Sequence, residues 1–263
     1  MTPPLRVAPA NAVASACVQA AADVDPVVET SGLEKVYQGK VTVPVLRGVD
    51  LRVLPGEFVA VMGQSGSGKS TLLNILGCLD RPTGGTVRIC GADTSRLDDT
   101  QLAHLRSETI GFVFQAHFLL EEFTCLENAL MPVLIRHRRV RAEDRARVLA
   151  LLRRVGIDDQ RDKTPDTMSG GQNQRCALVR ALANEPRLIL ADEPTGNLDS
   201  RSGAEVFALL REVSRETGVA VVMVTHDDRL ARAADRILRI EDGQIQEIEL
   251  AESDGAAGIR IRQ

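Results

Sequence analysis

From Gly32 onward the chain alternates short apolar runs with stretches of helical period. Continuous apolar or period-two segments predict strands at 33–37, 49–53, 58–62, 86–90, 111–115, 188–191, 219–225, 238–240 and 244–249. The 3.6-residue period predicts helices at 69–78, 126–135, 142–155, 170–184, 203–216 and 228–233. Val206, Leu209, Leu210 and Val213, for example, fall at i, i+3, i+4 and i+7, one helical face. The runs at 188–190 and 219–224 are apolar throughout, as in parallel strands covered on both faces. Helices between such strands imply an α/β fold. Residues 1–29 carry neither period and are rich in Ala, Pro and Val, so they are expected to be a disordered extension whose removal leaves folding intact. Ala14-Ser15-Ala16-Cys17 has the small residues of a lipoprotein cleavage box, but Pro3, Pro4 and Pro9 interrupt any apolar stretch before it.

Composition narrows the class. The 263 residues are 44% hydrophobic and 26% charged, ordinary for one large globular domain. A net charge of −4, no Trp and one Tyr argue against a nucleic-acid platform. The longest apolar run, 219–224, falls far short of the roughly 18 residues of a membrane span. Cysteines at 17, 78, 90, 125 and 176 are odd in number and contain no CxxC pair, which points to reduced thiols rather than a zinc site or disulfide framework. Arginines at 136, 138, 139, 141, 145, 147, 153 and 154 form a basic run that reads as a solvated helix face or as a surface for anionic lipid heads.

Gly63-Gln64-Ser65-Gly66-Ser67-Gly68-Lys69-Ser70 satisfies every fixed position of the P-loop pattern. A strand precedes it, and Ser70-Thr71-Leu72-Leu73 opens a helix behind it. The glycines let backbone N–H groups turn around a phosphate, and the helix N-terminus adds roughly half a positive charge. Lys69 then reaches the β and γ phosphates, and Ser70 offers a hydroxyl to Mg²⁺. The apolar strand Leu188-Ile189-Leu190-Ala191 ends in Asp192 and Glu193 at the sheet edge where such folds bind ligands. Asp192 suits the metal, and Glu193 suits the base that deprotonates an attacking water.

Met168-Ser169-Gly170-Gly171-Gln172 begins a helix upstream of that strand. Together with the P-loop and the carboxylate strand, it resembles the signature of ABC-type ATPases over about residues 32–249. Gln115 at a strand end, Asn197-Leu198-Asp199 and His226 after an apolar strand complete the family's order. The resemblance implies a P-loop NTPase core sheet flanked by helices, an antiparallel β subdomain and a helical signature subdomain. The domain would span 30–250, with the helical part at about 116–184 and a tail at 251–263. It implies that Tyr37 packs on adenine, that Gln115 touches metal and water, and that His226 contacts the γ phosphate. Ser169, Gly170, Gly171 and Gln172 would close on a partner's ATP in a head-to-tail homodimer, with Asp199 acting across it. ATP and Mg²⁺ are the implied ligands, integral-membrane permease subunits the implied partners and the cytoplasmic face of the inner membrane the implied location.

Met168 stands where the family usually has Leu, and Gly196-Asn197 replaces the commoner Ser-Ala. The stretches Ile110–Gln115 and Phe118–Asn128 also resemble the branch holding lipoprotein-release, macrolide-export and cell-division ATPases, most closely the first. A cell-division ATPase whose membrane partner transports nothing stays open as the alternative. Chromosome ATPases carry long heptads between P-loop and signature, which are absent here. Ribosome-acting members carry two ATPase units in one chain, and this sequence has one. The density of apolar groups at Phe118, Leu119, Leu120, Phe123 and Leu126 suggests a permease-docking segment, with core filling as the other reading.

Overall fold

The computed structural model describes residues 24–250 and a short strand at Ile259–Ile261. The proposed extension up to residue 23 and most of the proposed tail lie outside the described residues. The strands are β1 (Val28–Tyr37), β2 (Val43–Val53), β3 (Phe58–Met62), β4 (Gly84–Ile89), β5 (Ala92–Asp93), β6 (Ile110–Phe114), β7 (Leu188–Asp192), β8 (Ala220–Val224), β9 (Arg236–Glu241), β10 (Gln244–Leu250) and β11 (Ile259–Ile261). The α-helices are α1 (Lys69–Leu76), α2 (Asp99–Thr109), α3 (Cys125–His137), α4 (Ala142–Arg154), α5 (Gly170–Leu182), α6 (Ser200–Thr217) and α7 (Asp228–Arg232).

A seven-stranded sheet runs in the order β11-β10-β9-β3-β8-β7-β6. Its five strands from β9 to β6 are parallel, and β10 and β11 add antiparallel pairs at one edge. The apolar runs are continuous because both faces are covered. Phe58 and Ala60 of β3, Ile189 and Ala191 of β7, and Val221 and Met223 of β8 pack towards α3–α6. The alternating residues Val59, Val61, Leu188, Leu190, Val222 and Val224 pack towards α1 and the second sheet. That second sheet is four-stranded and antiparallel, ordered β2-β1-β4-β5. The α/β core, antiparallel subdomain and helical subdomain expected from the sequence are all present.

Three boundaries differ from the expectation. β1 starts at Val28, and Val27 and Val28 are both buried, so the domain begins before residue 30. β2 starts at Val43 rather than 49. It carries Pro44, which is tolerated because β2 is an edge strand and need not donate there. α2 was not foreseen, since Leu102 is its one buried side chain and its apolar period is faint.

Candidate active site

β3 delivers the chain into the P-loop, and α1 leaves it. Gly63 has φ 156°, and a Cβ there would lie 2.4 Å from the Ile240 carbonyl oxygen. Gly68 sits at φ 109° with Val45 O and Leu46 Cδ2 3.0 Å from a Cβ position. Only glycine passes both points, and the loop therefore presents backbone rather than side chain to its cavity. Gly63, Ser65, Gly66, Gly68, Lys69, Ser70 and Thr71 line a cleft of about 540 Å³ together with Val45, Asp192, Glu193 and His226. Gln64 and Ser67 line an adjoining cleft with Gly63, Ser65 and Gly66. Lys69 Nζ donates to the carbonyls of Gly63 at 2.9 Å and Gln64 at 2.7 Å, which holds its charge at the mouth of the loop. The Ser67 hydroxyl is buried without a hydrogen-bond partner, an unspent donor inside an anion cradle.

The parallel pairing of β7 with β8 puts the carboxyl end of β7 beside this loop. Ser70 Oγ donates to Asp192 Oδ2 at 3.2 Å, pairing a hydroxyl and a carboxylate oxygen across 122 residues of sequence. Burial, and then the neighbouring Glu193 charge, push the Asp192 carboxyl above its ordinary range against the pull of Ser70 and Lys69. Among the described residues there is no cluster of His, Cys, Asp and Glu that would hold a metal by itself.

Glu193 has φ 45°, a left-handed backbone unusual for a residue with a Cβ. Its N–H donates to Val224 O at 3.0 Å, and its Oε2 lies 2.7 Å from His226 Nδ1. The strained backbone is thus over-determined, as at sites where geometry serves function. Donation from Nδ1–H fixes the His226 tautomer and leaves Nε2 as the second polar atom of an exposed ring. Sequence reasoning placed Glu193 and His226 in the site separately; their direct contact is new.

Gln115 and Tyr37 make contacts that the sequence did not foresee. Gln115 follows β6, and its Nε2 donates to Asn197 Oδ1 at 3.1 Å while Asn197 Nδ2 donates back to Gln115 O at 3.1 Å. The amide is therefore hydrogen-bonded to the Asn197 loop, whereas Ser70 bonds Asp192. Tyr37 is half exposed, donates its hydroxyl to Asp80 Oδ2 at 2.8 Å and lies under Lys35 Nζ, 4.7 Å from the ring centre. It pairs with Val43 across the sheet, and Val43 lines the adjoining cleft, but the ring itself does not.

Ser169 caps α5. Its hydroxyl accepts from Gln172 N at 3.3 Å, and Gln172 Oε1 accepts from Ser169 N at 2.8 Å. Ser169 and Gly170 are exposed, and neither they nor Gly171 line the P-loop cleft. Gly170 and Gly171 instead lie against Leu198 and Ser202 of the same chain. Asp199 caps α6 by accepting from Arg201 and Ser202 N–H, each at 3.0 Å, and the bonds from Ser202 hold its carboxyl below the usual range. Asp199 also lines a third cleft, which contains Glu193 and His226.

Sequence reasoning missed the residues that hold the segment after Gln115. Gln174 Nε2 on α5 donates to Phe114 O at 2.9 Å, and Arg180 donates to Phe118 O at 2.6 Å and His117 O at 2.7 Å. Buried Asn128 accepts from Leu120 N at 2.8 Å and donates towards the carbonyls of Leu120, Phe123 and Thr124 at 3.0, 3.0 and 3.1 Å. Their signal was polar residues at inward helix positions. The result is a rigid loop with Phe118, Leu120 and Phe123 exposed, whereas Leu126 is buried and Leu119 packs on the core.

Comparison with known proteins agrees with this arrangement. The family model described as ABC transporter matches residues 46–196. The chain is 54% identical over 221 residues to the lipoprotein-releasing system ATP-binding protein LolD of Anaeromyxobacter dehalogenans, covering 84% of this chain and 92% of that protein. It is 49% identical over 221 residues to the macrolide export ATP-binding/permease protein MacB of Syntrophobacter fumaroxidans, covering 83% of this chain but 31% of that longer protein. A dimeric ATP-binding cassette solved in a post-hydrolysis state with ADP and Pi superposes with a TM-score of 0.76 and 43% identity, over 83% of this chain and 96% of that one. With its phosphate loop, carboxylate strand and exposed start of the signature helix so arranged, the chain belongs to the ABC transporter family and is an ATPase of that family.

Proposed function

We propose that this chain is the ATP-hydrolysing subunit of a membrane complex that releases or exports lipoproteins, working as a head-to-tail homodimer on the cytoplasmic face of the inner membrane. The observation that carries the reading is one cleft uniting the P-loop, Ser70, Asp192, Glu193 and His226, with Ser169 and Gly170 exposed outside it. In this reading the loop N–H groups, the Ser67 hydroxyl and Lys69 hold the phosphates. The Ser70 hydroxyl and the Asp192 carboxylate fit Mg²⁺, a hard cation held by one or two carboxylates together with substrate phosphates. The ion supplies charge neutralisation on the β and γ phosphates. Asp192, whose ionised form is disfavoured by burial, gains most from that neighbour. Glu193 accepts the proton of the attacking water, and His226 orients Glu193 through Nδ1. Gln115 would help hold the metal on giving up its bond to Asn197, and Tyr37 would pack on the adenine.

Ser169, Gly170, Gly171 and Gln172 meet the partner's γ phosphate, since a helix N-terminus is an anion site and theirs does not line the chain's own cleft. Asp199 reaches across the same interface. The exposed Leu120 and Phe123, on a loop tied to Gln115, dock the permease and pass on the nucleotide state. LolD relatives at about half identity and similar length support the lipoprotein substrate over the macrolide one.

Mixing tests the shared site. Lys69→Ala and Ser169→Arg chains are each inactive alone, because every site in either homodimer is damaged. Mixed, they regain activity, since half of the sites in each heterodimer combine an intact P-loop with an intact signature. No recovery on mixing, with both variants folded, contradicts the head-to-tail arrangement.

A further inference from the structure

Away from the nucleotide cleft, a cluster of exposed positive charge lies in the turn between α3 and α4. Every residue from Leu134 to Glu143 is exposed. The stretch holds Arg136, Arg138, Arg139 and Arg141, and Arg145 follows on α4, in a chain whose net charge is −4. Arg136 lies 3.5 Å from Glu108, and Arg147 is bonded to Asp144 at 2.9 Å. Among the described residues, Arg138, Arg139, Arg141 and Arg145 form no ion pair. Basic residues in a last helical turn offset the helix dipole, which accounts for Arg136 and His137 but not for the four beyond them.

Apolar groups share this exposed surface. Ile135 is 68% exposed and Leu134 44%, and Val140 stands out in the turn itself. The turn is also fixed in shape. Arg138 closes α3 at φ 56° with its N–H on Leu134 O at 2.8 Å, Asp144 accepts from Arg141 N at 3.2 Å, and Asn184 Nδ2 donates to Pro132 O at 3.2 Å. A rigid display of unpaired guanidiniums among bare aliphatic side chains suits a partner that is anionic at its face and apolar just below it.

We infer that the α3–α4 turn contacts the membrane surface, with Arg138, Arg139, Arg141 and Arg145 on the phosphates of anionic lipid headgroups and Ile135, Leu134 and Val140 at the headgroup–acyl boundary. The planar guanidinium grips a phosphate through two N–H groups, and the aliphatic side chains gain by leaving water. Nucleic acid is the other polyanion, but the turn has no Phe, Tyr or Trp to stack on a base, and a phosphate backbone offers nothing to Ile135. The proposed function enters only in placing a bilayer nearby. The 13 residues of α3 span about 20 Å, so the proposed permease loop at one end and the lipid contact at the other are separate.

The test is sedimentation of the full chain with phosphatidylcholine vesicles, with and without about one-third phosphatidylglycerol, at about 0.1 M and 0.5 M salt. Binding is expected on the anionic vesicles and should fall with salt. Each arginine near an anionic surface is worth about fivefold in partition, so Arg138→Ala/Arg139→Ala should lose about 25-fold. Arg141→Ala/Arg145→Ala should lose a similar factor, and a normal ATPase rate in either pair shows that the fold is kept. Equal binding to neutral vesicles, no vesicle binding, unchanged partition in both double variants, or arginine-dependent binding of a single-stranded RNA in place of vesicles overturns the inference. ATP hydrolysis plays no part in the vesicle reading, so failure here and failure of the proposed function are told apart.

Discussion

Asn128→Ala removes the side chain that holds the 120–124 loop. Asn128 is 1% exposed, and its amide satisfies Leu120 N–H and reaches three carbonyls. Two of those carbonyls keep another bond, Leu120 O from Phe123 N and Thr124 O from Asn128 N. The substitution therefore leaves two backbone groups without partners, the Leu120 N–H and the Phe123 carbonyl. At about 1–3 kcal/mol for each unsatisfied group, and towards the low end because both bonds are only part-buried, the loss is about 2 kcal/mol. A domain of this size loses roughly 2–4 °C of Tm per kcal/mol, so thermal unfolding should fall by about 4–8 °C. Urea unfolding followed by circular dichroism gives the free energy directly. Asn128→Asp keeps the acceptor for Leu120 N–H but turns a second oxygen towards carbonyls, so it should be at least as damaging at neutral pH. A loss below about 0.5 kcal/mol for Asn128→Ala refutes the claim that this amide holds the loop.

Leu120→Ser and Phe123→Ser should keep the Tm within a few degrees, because both side chains are exposed, yet lose co-purification with the proposed permease. Unfolding of the isolated subunit would return these residues to the core. Truncation through residue 29 removes buried Val27 and Val28 and should lower the Tm by several degrees, at about 1.5–3 kcal/mol for each buried Val; an unchanged melting curve would contradict their place in the domain. Asp192 has a raised carboxyl, so its ionisation costs the folded chain stability, a cost absent below the ordinary carboxylate pKa and complete above the raised one. Without nucleotide, Asp192→Asn should therefore raise the Tm at neutral pH, with the gain shrinking as pH falls through the carboxylate range. A gain that does not vary with pH would remove the titration of Asp192 as its source.

The parts of the fold that could be read from sequence are those whose cause is local. β3, β8 and β7 as far as Ala191 are apolar in every position because α-helices cover one face and the second sheet the other, so a run of side chains suffices to announce them. The P-loop is likewise contiguous, and Gly63 and Gly68 are dictated by the close approach of Ile240 and Val45. What escaped depends on distant pairing or on little burial. α2 buries Leu102 alone, and its one strong signal is the Asp98–Gln101 capping box. The start of β1 escaped because Val27 and Val28 sit next to a stretch with no period. The Gln115–Asn197 bond joins residues 82 apart, and no spacing rule links a strand-end amide to that loop. Tyr37 could be located upstream of the P-loop, but its tie to Asp80 needs the sheet and the end of α1 in register.

The central claim is that the Glu193 carboxylate, held by His226 beside the phosphate loop, takes the proton of the water that cleaves ATP. Single-turnover hydrolysis by Glu193→Gln, with MgATP affinity measured on the same sample, tests it most directly. The amide keeps the size and the contact with His226 but cannot accept a proton, so affinity should be preserved and the rate should fall by at least about 10². Normal hydrolysis by a chain that binds MgATP normally would contradict it.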